Sequence, residues 1–290
     1  MSNIGVIIPE RAATIGDFFV GRLLPFREKR MVGPFAFIDH MGPAALKDNE
    51  GLQVPPHPHI GLSTLTFLFE GSIMHRDSLG TAIEISPGAI NWMTAGKGIV
   101  HSERTPQRMI GSGGSIHGLQ IWVALPKQFE QCDPEFAHID AADVPAWSVG
   151  DVHYKLIAGS ALGHESPVPV FSPMYFVEIR ADKKATVNIG SQLYGESGLY
   201  ILDGQVNADG NSFPPRQMLV ARDATLCSFE LEAGSTVYLF GGDPMPEERY
   251  IYWNFVASDE RLIEDAKQRW REQGFPRVPG ETGFVPLPEK

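Results

Sequence analysis

Short apolar stretches alternate with turn residues along most of this 290-residue chain. Residues 65–69, Leu-Thr-Phe-Leu-Phe, are typical, because β-branched and aromatic residues favour strands and Glu70-Gly-Ser follows them as a turn. The chain contains 30 glycines and 23 prolines, which interrupt it too often for long helices. The pattern predicts an all-β protein of many short antiparallel strands, as in small β-barrels.

The strand pattern occurs twice. The segment Phe67-Leu-Phe-Glu-Gly-Ser-Ile73 in the first half is echoed by Tyr200-Ile-Leu-Asp-Gly-Gln-Val206 in the second, which indicates an internal duplication. A polar, irregular stretch at residues 127–145 separates the two copies. We therefore predict two domains, residues 1–135 and 136–290, each of ordinary domain size.

One helix is expected at about residues 258–273. Ser258 can cap its first turn, and Gly274 can end it. Four apolar residues fall on one face at helical spacing: Leu262, Ile263, Ala266 and Trp270. This face is expected to pack on a barrel, and binding of a partner is the less favoured alternative.

Two short pairs of metal-capable side chains lie in the first half of the chain. His57 and His59 form one pair, and His101 and Glu103 form the other. Side chains two residues apart on a strand point to the same face. Because imidazole and carboxylate bind divalent first-row metals, two such pairs on neighbouring strands could place four ligands around one ion.

The residues after His59 suggest the shape of a pocket. If the chain stays extended without a bulge, Ser63, Leu65 and Phe67 share the face of His57 and His59. The metal would then lie beside a small polar residue and above an apolar floor, which suits a flat aromatic or aliphatic ligand. The same residues would also serve as barrel core.

Three further histidines, His40, His75 and His117, lie in the first half without an evident partner in the sequence. We expect His40 to be structural or to belong to the rim of the site. His75 and His117 could line the entrance or act in proton transfer, although an isolated histidine is more often only hydrogen-bonded.

Charge and composition restrict the possible partners. The net charge is −11 and the isoelectric point is about 5.3, so a general nucleic-acid binder is not expected. There is no apolar run of the roughly 20 residues that a membrane span needs, and the first residues do not resemble a signal peptide. Cys132 and Cys227 lie in no redox or metal motif. We therefore expect a cytosolic monomer with reduced thiols.

Five longer segments around the histidines are distinctive: His57-Pro-His59, Thr64-Leu-Thr-Phe-Leu-Phe-Glu-Gly71, His75-Arg-Asp-Ser-Leu-Gly80, Trp92-Met-Thr-Ala-Gly-Lys-Gly-Ile-Val-His101-Ser-Glu103 and Gly118-Leu-Gln-Ile-Trp-Val-Ala-Leu-Pro126. They resemble the pirin family of the cupin superfamily, and the resemblance extends over nearly the whole chain. It implies two cupin barrels of the jelly-roll, or double-stranded β-helix, type.

The resemblance also implies one metal in the N-terminal barrel, with ligands at the positions of His57, His59, His101 and Glu103. The general cupin pattern has a glutamate four or five residues after the second histidine, where this chain has Ser63 and Thr64. Glu103 would supply the carboxylate instead, as in the pirin pattern. The second copy has no His-x-His, so no metal is expected there.

The activity implied by the resemblance is that of quercetin 2,3-dioxygenase, which opens a flavonol ring with dioxygen and releases carbon monoxide. The resemblance favours iron(II), with nickel, manganese and zinc as alternatives, and Glu103 would take the proton of the flavonol. Two other functions remain open, since a fold and a metal site do not fix a reaction. One is a non-enzymatic regulator that binds a protein partner, with the redox state of the metal as its switch. The other is a structural protein with a vestigial or zinc-filled site.

Overall fold

The computed structural model describes residues 3–15, 18–46, 51–111, 114–189, 192–222 and 228–289. Within these residues the chain forms 25 strands, one short 3-10 turn (Gln107–Met109) and one α-helix, α1 (Glu260–Arg271), which confirms the prediction of an all-β protein with a C-terminal helix. The strands are β1 (Ile4–Pro9), β2 (Arg11–Ile15), β3 (Phe18–Leu24), β4 (Phe35–Ala45), β5 (Gln53–His59), β6 (Leu62–Glu70), β7 (Ile73–Asp77), β8 (Ala82–Ile85), β9 (Ile90–Thr94), β10 (Ile99–Arg104), β11 (Ser115–Ala124), β12 (Glu135–Ile139), β13 (Ala146–Val149), β14 (Val152–Ala161), β15 (His164–Glu165), β16 (Met174–Ala181), β17 (Ala185–Asn188), β18 (Glu196–Asp203), β19 (Val206–Ala208), β20 (Asn211–Phe213), β21 (Gln217–Ala221), β22 (Ser228–Leu231), β23 (Ser235–Gly242), β24 (Tyr250–Tyr252) and β25 (Phe255–Ala257).

The chain divides into two compact units. Unit 1 comprises Met1–Ala12, Gly21–Ile38 and Ala142–Pro244, and unit 2 comprises Ala13–Val20, Asp39–Ala141 and Met245–Lys290. The expected domains, residues 1–135 and 136–290, were contiguous, whereas the observed units exchange their terminal segments. The first strand pairs with β21 in unit 1, and α1 contacts β24 and β25 in unit 2. A strand pattern gives no information about which sheet edge a strand joins, so this exchange is invisible in the sequence.

Unit 1 contains a large sheet with the strand order β1-β21-β18-β23-β16-β14-β13 and a four-stranded sheet with the order β17-β22-β19-β20. The core is formed by apolar side chains of both sheets. Fully buried members include Leu156, Val177, Leu199, Leu219, Leu231 and Leu239.

Unit 2 places the candidate site between two sheets. The four-stranded sheet has the order β5-β10-β7-β8, and the sheet opposite has the order β12-β9-β6-β11-β4-β3-β2. Apolar residues, among them Leu68, Ile73, Ile85 and Ile116, fill one part of the interior. Buried polar side chains occupy the part bounded by β5, β7 and β10, where they need partners or ligands to balance their lost hydration.

A glycine separates β5 from β6. Gly61 has a φ of +67°, a left-handed conformation that is strained for other residues. A Cβ at this position would lie 1.9 Å from the backbone oxygen of Val256, so only glycine fits. The chain passes here from one sheet to the other, and the alternation of side chains along β6 does not continue that of β5.

The C-terminal helix forms as predicted, but with a different cap. Asp259, rather than Ser258, accepts the hydrogen bond from the Arg261 N–H at the N-terminus. The Ser258 N–H and hydroxyl both donate to the carboxylate of Glu130, at 2.8 and 2.7 Å. The buried helix residues belong to the predicted face: Ile263, Ala266 and Trp270.

No helix in the described part of the chain is long and apolar enough to cross a membrane. The Cys132 thiol is free and partly buried, whereas Cys227, which we expected to be reduced, lies outside the described residues.

Candidate metal centre

Three imidazole rings meet in the interior of unit 2. His57 and His59 lie on β5, and His101 lies opposite His57 on β10. All three side chains are buried, and each offers a ring nitrogen within 4.8 Å of the other two. The Nε2 atoms of His59 and His101 are 3.0 Å apart. The i, i+2 spacing places His57 and His59 on one face, and the pairing of β5 with β10 brings the predicted His101 to them.

The protonation of these rings suits a divalent metal. Burial lowers the pKa of His57 to about 4, and burial holds the pKa values of His59 and His101 well below their usual range. All three rings are therefore neutral near pH 7, the form that binds a metal. His57 Nδ1 lies 2.9 Å from the carbonyl oxygen of Pro55, so it carries the proton and leaves Nε2 with a lone pair.

Glu103 lies near this group but is not part of it. Its side chain is buried, and burial raises the pKa of the carboxyl, an effect that His75 and Thr66 oppose. The carboxylate oxygen Oε1 is 3.5 Å from the Thr66 hydroxyl. Among the described residues, the group whose ligand atoms all lie within 4.8 Å consists of the three histidines without Glu103. The role of Glu103 as a fourth ligand stays a prediction.

The prediction for the pocket face of β6 is wrong. Thr66 contacts Glu103, so even-numbered residues of this strand face the histidines. Alternation then places Ser63, Leu65 and Phe67 on the opposite face. The predicted face required an unbroken strand from His57 to Phe67, but the turn at Gly61 shifts the alternation by one residue.

The wall opposite the histidines mixes polar and aromatic side chains. Strand β11 pairs with β6 so that Gln120 lies opposite Thr66 and Trp122 lies opposite Thr64. The Trp122 ring meets the His59 ring edge-on at 5.3 Å, and the Thr66 hydroxyl is 3.0 Å from the Gln120 amide oxygen. A flat apolar molecule could lie against this wall while its polar atoms reach the histidines.

A histidine–aspartate pair extends the centre on β7. His75 and Asp77 are both buried and two residues apart, and His75 lies opposite Glu103 in the strand register. The Nδ1 atoms of His75 and His101 are 3.4 Å apart, and the Asp77 carboxylate is 3.1 Å from His75 Nε2. His75 was expected to be an isolated histidine, but Asp77 is its partner. The same i, i+2 spacing that singled out the other pairs could have found it.

Two hydrogen bonds from the following turn hold the Asp77 carboxylate. Its Oδ1 accepts from the backbone N–H groups of Leu79, at 2.9 Å, and Thr81, at 3.0 Å. Although burial favours the neutral acid, the hydrogen bonds from His75 and Thr81 keep the pKa of Asp77 below its usual value. Asp77 is therefore an ionised acceptor near pH 7.

The other two singled-out histidines pair with each other. His40 Nε2 and His117 Nε2 are 2.8 Å apart, and the His117 ring contacts Phe69 at a centroid distance of 4.8 Å. This arrangement agrees with a structural role for His40.

The C-terminal segment holds the strand that carries His101 and Glu103. Glu281 accepts hydrogen bonds from Ser102, at 3.0 Å, and from Arg104, at 2.7 and 3.1 Å. These two residues flank Glu103 on β10. The Val285 N–H donates to the carbonyl oxygen of Pro56, next to His57, at 2.9 Å.

Comparison with known families gives two matches along the chain. The pirin profile matches residues 18–123, and the profile of the pirin C-terminal cupin domain matches residues 176–276. A pirin-like protein of Caulobacter vibrioides is 45% identical over 293 residues, which cover 99% of this chain and 100% of that protein.

Solved structures agree with these matches. The crystal structure of a quercetin 2,3-dioxygenase from Acinetobacter baumannii has a TM-score of 0.90 and 34% identity, covering 98% of this chain and 95% of the other. A bacterial pirin of Escherichia coli, solved in complex with nickel(II), has the same fold with a TM-score of 0.64 at 19% identity, covering 83% and 99% of the two chains.

Proposed function

Because the chain belongs to the pirin family of two-barrel cupins, we propose that it is a metal-dependent dioxygenase that opens the ring of a flavonol. The observation that carries this proposal is the group of three buried, neutral imidazoles beside a buried carboxylate of raised pKa. In this proposal the three imidazoles bind the metal, and the carboxylate takes a proton. The dioxygenase from Acinetobacter baumannii, similar over almost the whole chain, supports the same reaction.

The three histidines fit a divalent metal, and we expect iron(II). Nitrogen and oxygen donors without thiolate also accept nickel or manganese, and the nickel-bound relative from Escherichia coli is consistent with that range. When bound, the metal supplies Lewis-acid polarisation of substrate oxygen and one-electron chemistry with dioxygen. Three or four protein ligands leave at least two octahedral positions open for these molecules.

Glu103 acts as the base in this proposal. A flavonol must lose its hydroxyl proton before the oxygen can bind strongly to a cation, and a carboxylate of raised pKa is a better proton acceptor than an ordinary one. Thr66 lies on the opposite wall within 3.5 Å of the carboxylate and can hold it in position. The buried location excludes water, which would compete for the proton.

The wall opposite the histidines favours a flat substrate. Trp122 contacts the His59 ring, and Phe136 contacts the His75 ring. These aromatic side chains give a flat ring system surfaces on which to pack. Gln120 and Thr66 add hydrogen-bonding groups that can orient the polar edge of such a molecule. This combination of apolar faces and few polar groups is typical of small-molecule sites.

The proposal is tested with purified protein loaded separately with iron(II), nickel, manganese or zinc. Oxygen uptake, carbon monoxide release and flavonol consumption are measured over a panel of flavonols. We expect equal consumption of dioxygen and flavonol with iron(II), and none with zinc, which has no redox chemistry. Full metal loading without flavonol consumption for any redox-active metal would show that the proposal is wrong. A partner whose capture depends on the redox state of the metal would then favour the regulatory alternative.

A further inference from the structure

We propose that Asp77 and His75 form a hydrogen-bonded chain that fixes the tautomer of His101, so that His101 Nε2 is held ready to bind the metal. The inference rests on the proposed function only in requiring that the three-histidine group binds a metal ion. It assigns positioning roles to two residues that are not ligands.

The hydrogen-bonded chain begins at Asp77, whose two carboxylate oxygens have different partners. Oδ1 is occupied by the backbone N–H groups of Leu79 and Thr81. Oδ2 faces His75 Nε2 at 3.1 Å. Because an ionised carboxylate has no hydrogen to donate, His75 Nε2 must be the donor in this contact and Oδ2 the acceptor.

The next link is His75. When Nε2 donates its hydrogen to Asp77, Nδ1 of the neutral ring becomes an acceptor. The nearest ring nitrogen is His101 Nδ1, at 3.4 Å. This contact is satisfied when His101 carries its hydrogen on Nδ1, which leaves the lone pair on Nε2. That nitrogen is the one that faces the Nε2 atom of His59, at 3.0 Å.

Packing holds the chain in this geometry. The His75 ring stacks on Phe136, with centroids 4.6 Å apart and planes inclined by 24°. His75, Asp77 and His101 are each no more than 4% exposed, so bulk water does not compete for their hydrogen bonds. Groups of this kind behind a ligand histidine typically change metal affinity by about 10- to 100-fold when they are removed.

The sharpest test is Asp77→Asn, which is nearly isosteric. The amide oxygen of the new side chain must stay on the two backbone N–H groups, so the NH₂ group would replace Oδ2 and would donate to His75 Nε2. His75 would then carry its hydrogen on Nδ1 and donate to His101 Nδ1, which moves the His101 hydrogen to Nε2. Asparagine beside a histidine favours the wrong tautomer in this way. We expect metal binding to weaken by about 10- to 100-fold.

A second variant removes the link itself. His75→Phe keeps the ring and its stacking on Phe136 but has no nitrogen for either neighbour. The matched control is His138→Phe, because His138 bonds to Asn91 at 2.7 Å and stands outside the chain. Dissociation constants for iron(II) and nickel(II) are measured by competition with a chelator. We expect about 10-fold or greater weakening for His75→Phe and less than about 3-fold for His138→Phe.

Nitrogen-15 NMR of the imidazoles reports the tautomer directly. In the metal-free wild type we expect His101 to show a protonated Nδ1, and in metal-free Asp77→Asn a protonated Nε2. Metal affinity within about 3-fold of the wild type in both variants, or an unchanged His101 tautomer in Asp77→Asn, would overturn the inference. If Asp77→Asn does not fold, the metal affinity of His75→Phe alone decides the test.

The outcome is separate from that of the proposed function. A protein that binds metal tightly and loses that affinity in the two variants supports the chain even if no flavonol is consumed. Conversely, flavonol turnover with unaltered metal affinity in both variants would leave the dioxygenase proposal intact and contradict the proposed hydrogen-bonded chain from Asp77 to His101.

Discussion

Thr66 on β6 and Glu103 on β10 face each other across the interior of unit 2, with the threonine hydroxyl 3.5 Å from the carboxylate. The contact joins the two sheets at the level of the histidines. It also separates two possible roles of Glu103, since a side chain held by Thr66 beside the three-histidine group can act as a base without being a ligand.

Glu103→Gln tests that distinction. The amide keeps the size of the side chain but removes its charge and basicity. We expect a metal content close to that of the wild type, because the three histidines remain, and flavonol turnover lower by roughly 10²- to 10⁴-fold. Metal content by mass spectrometry and steady-state kinetics are measured on the same preparation. Loss of metal with recovery of activity in excess metal would instead establish Glu103 as a ligand. His101→Ala should lower metal content directly, as the contrasting variant.

The two faces of β6 should respond differently to substitution. Thr66→Val keeps the shape and removes the hydroxyl, so we expect kcat/KM for a flavonol to fall by about tenfold. Phe67→Leu, on the opposite face, should lower the free energy of unfolding by roughly 1–2 kcal/mol and leave kcat/KM unchanged. Urea unfolding and kinetics are measured for both. A change in kcat/KM for Phe67→Leu as large as that for Thr66→Val would restore the original pocket assignment.

Gly61→Ala is expected to be severely destabilising. A side chain at a φ of +67° costs about 1–2 kcal/mol, and its Cβ would also collide with the Val256 backbone oxygen. Gly80→Ala is the matched control, because Gly80 has a φ of +93° but no heavy atom within 4 Å of the added Cβ. We expect losses of about 1 kcal/mol at Gly80 and at least about 3 kcal/mol at Gly61 in urea unfolding. Equal losses would show that the approach to Val256 does not constrain the strand.

The metal-free protein should lose stability on acidification. His57 has a pKa of about 4 when folded and 6.5 when unfolded, so the unfolded chain binds more protons between these values. This contribution is fully present above pH 6.5 and is lost as the pH falls through about 4, to an extent of roughly 3 kcal/mol. His59 and His101 act in the same direction. Glu103 acts in the opposite direction, because its raised pKa stabilises the fold below about pH 4.5 and that contribution is lost as the pH rises.

The measurement is urea unfolding of the metal-free wild type and of His57→Gln from about pH 4 to about pH 7.5. The variant should show a shallower decline of the free energy of unfolding between pH 6.5 and about 4, because it lacks the titrating ring. Identical slopes for the two proteins would mean that His57 is not buried in its neutral form.

Metal stoichiometry tests the difference between the two halves. The three-histidine group lies in residues 57–101, and the second copy has no His-x-His, so we expect one tightly bound ion per chain. The protein is loaded with excess iron(II) or nickel(II) and desalted, and inductively coupled plasma mass spectrometry then gives the number of metal ions per chain. Two retained ions, with one lost on substitution within residues 146–290, would contradict this expectation.

The sequence predicts the strands and the histidine group well because both depend on short-range regularities. Apolar alternation marks strands, and the spacing of His57 and His59 fixes a shared face whatever the topology is. The predicted pocket face of β6 is wrong for an equally local reason. Gly61, in the left-handed conformation, interrupts the alternation, and a glycine in a sequence does not by itself indicate a positive φ.

Other features depend on contacts that no local pattern contains. Ser258 has the residue type of a helix cap, but Glu130 binds it and Asp259 takes the cap instead. The exchange of terminal segments between the units likewise depends on pairing between distant strands, as for β1 and β21. Such partners become visible only when the sheets are assembled.

The contacts of Glu281 and Val285 set an order of events during biosynthesis. The ribosome makes the strand carrying Ser102 long before it makes Glu281, which lies 179 residues further along the chain. Until that segment emerges, Arg104 lacks its hydrogen bonds to Glu281, and Pro56 lacks its hydrogen bond from Val285. The half that carries the three-histidine group is thus the first to be translated but among the last to gain all of its contacts, some of which form only when synthesis is nearly over.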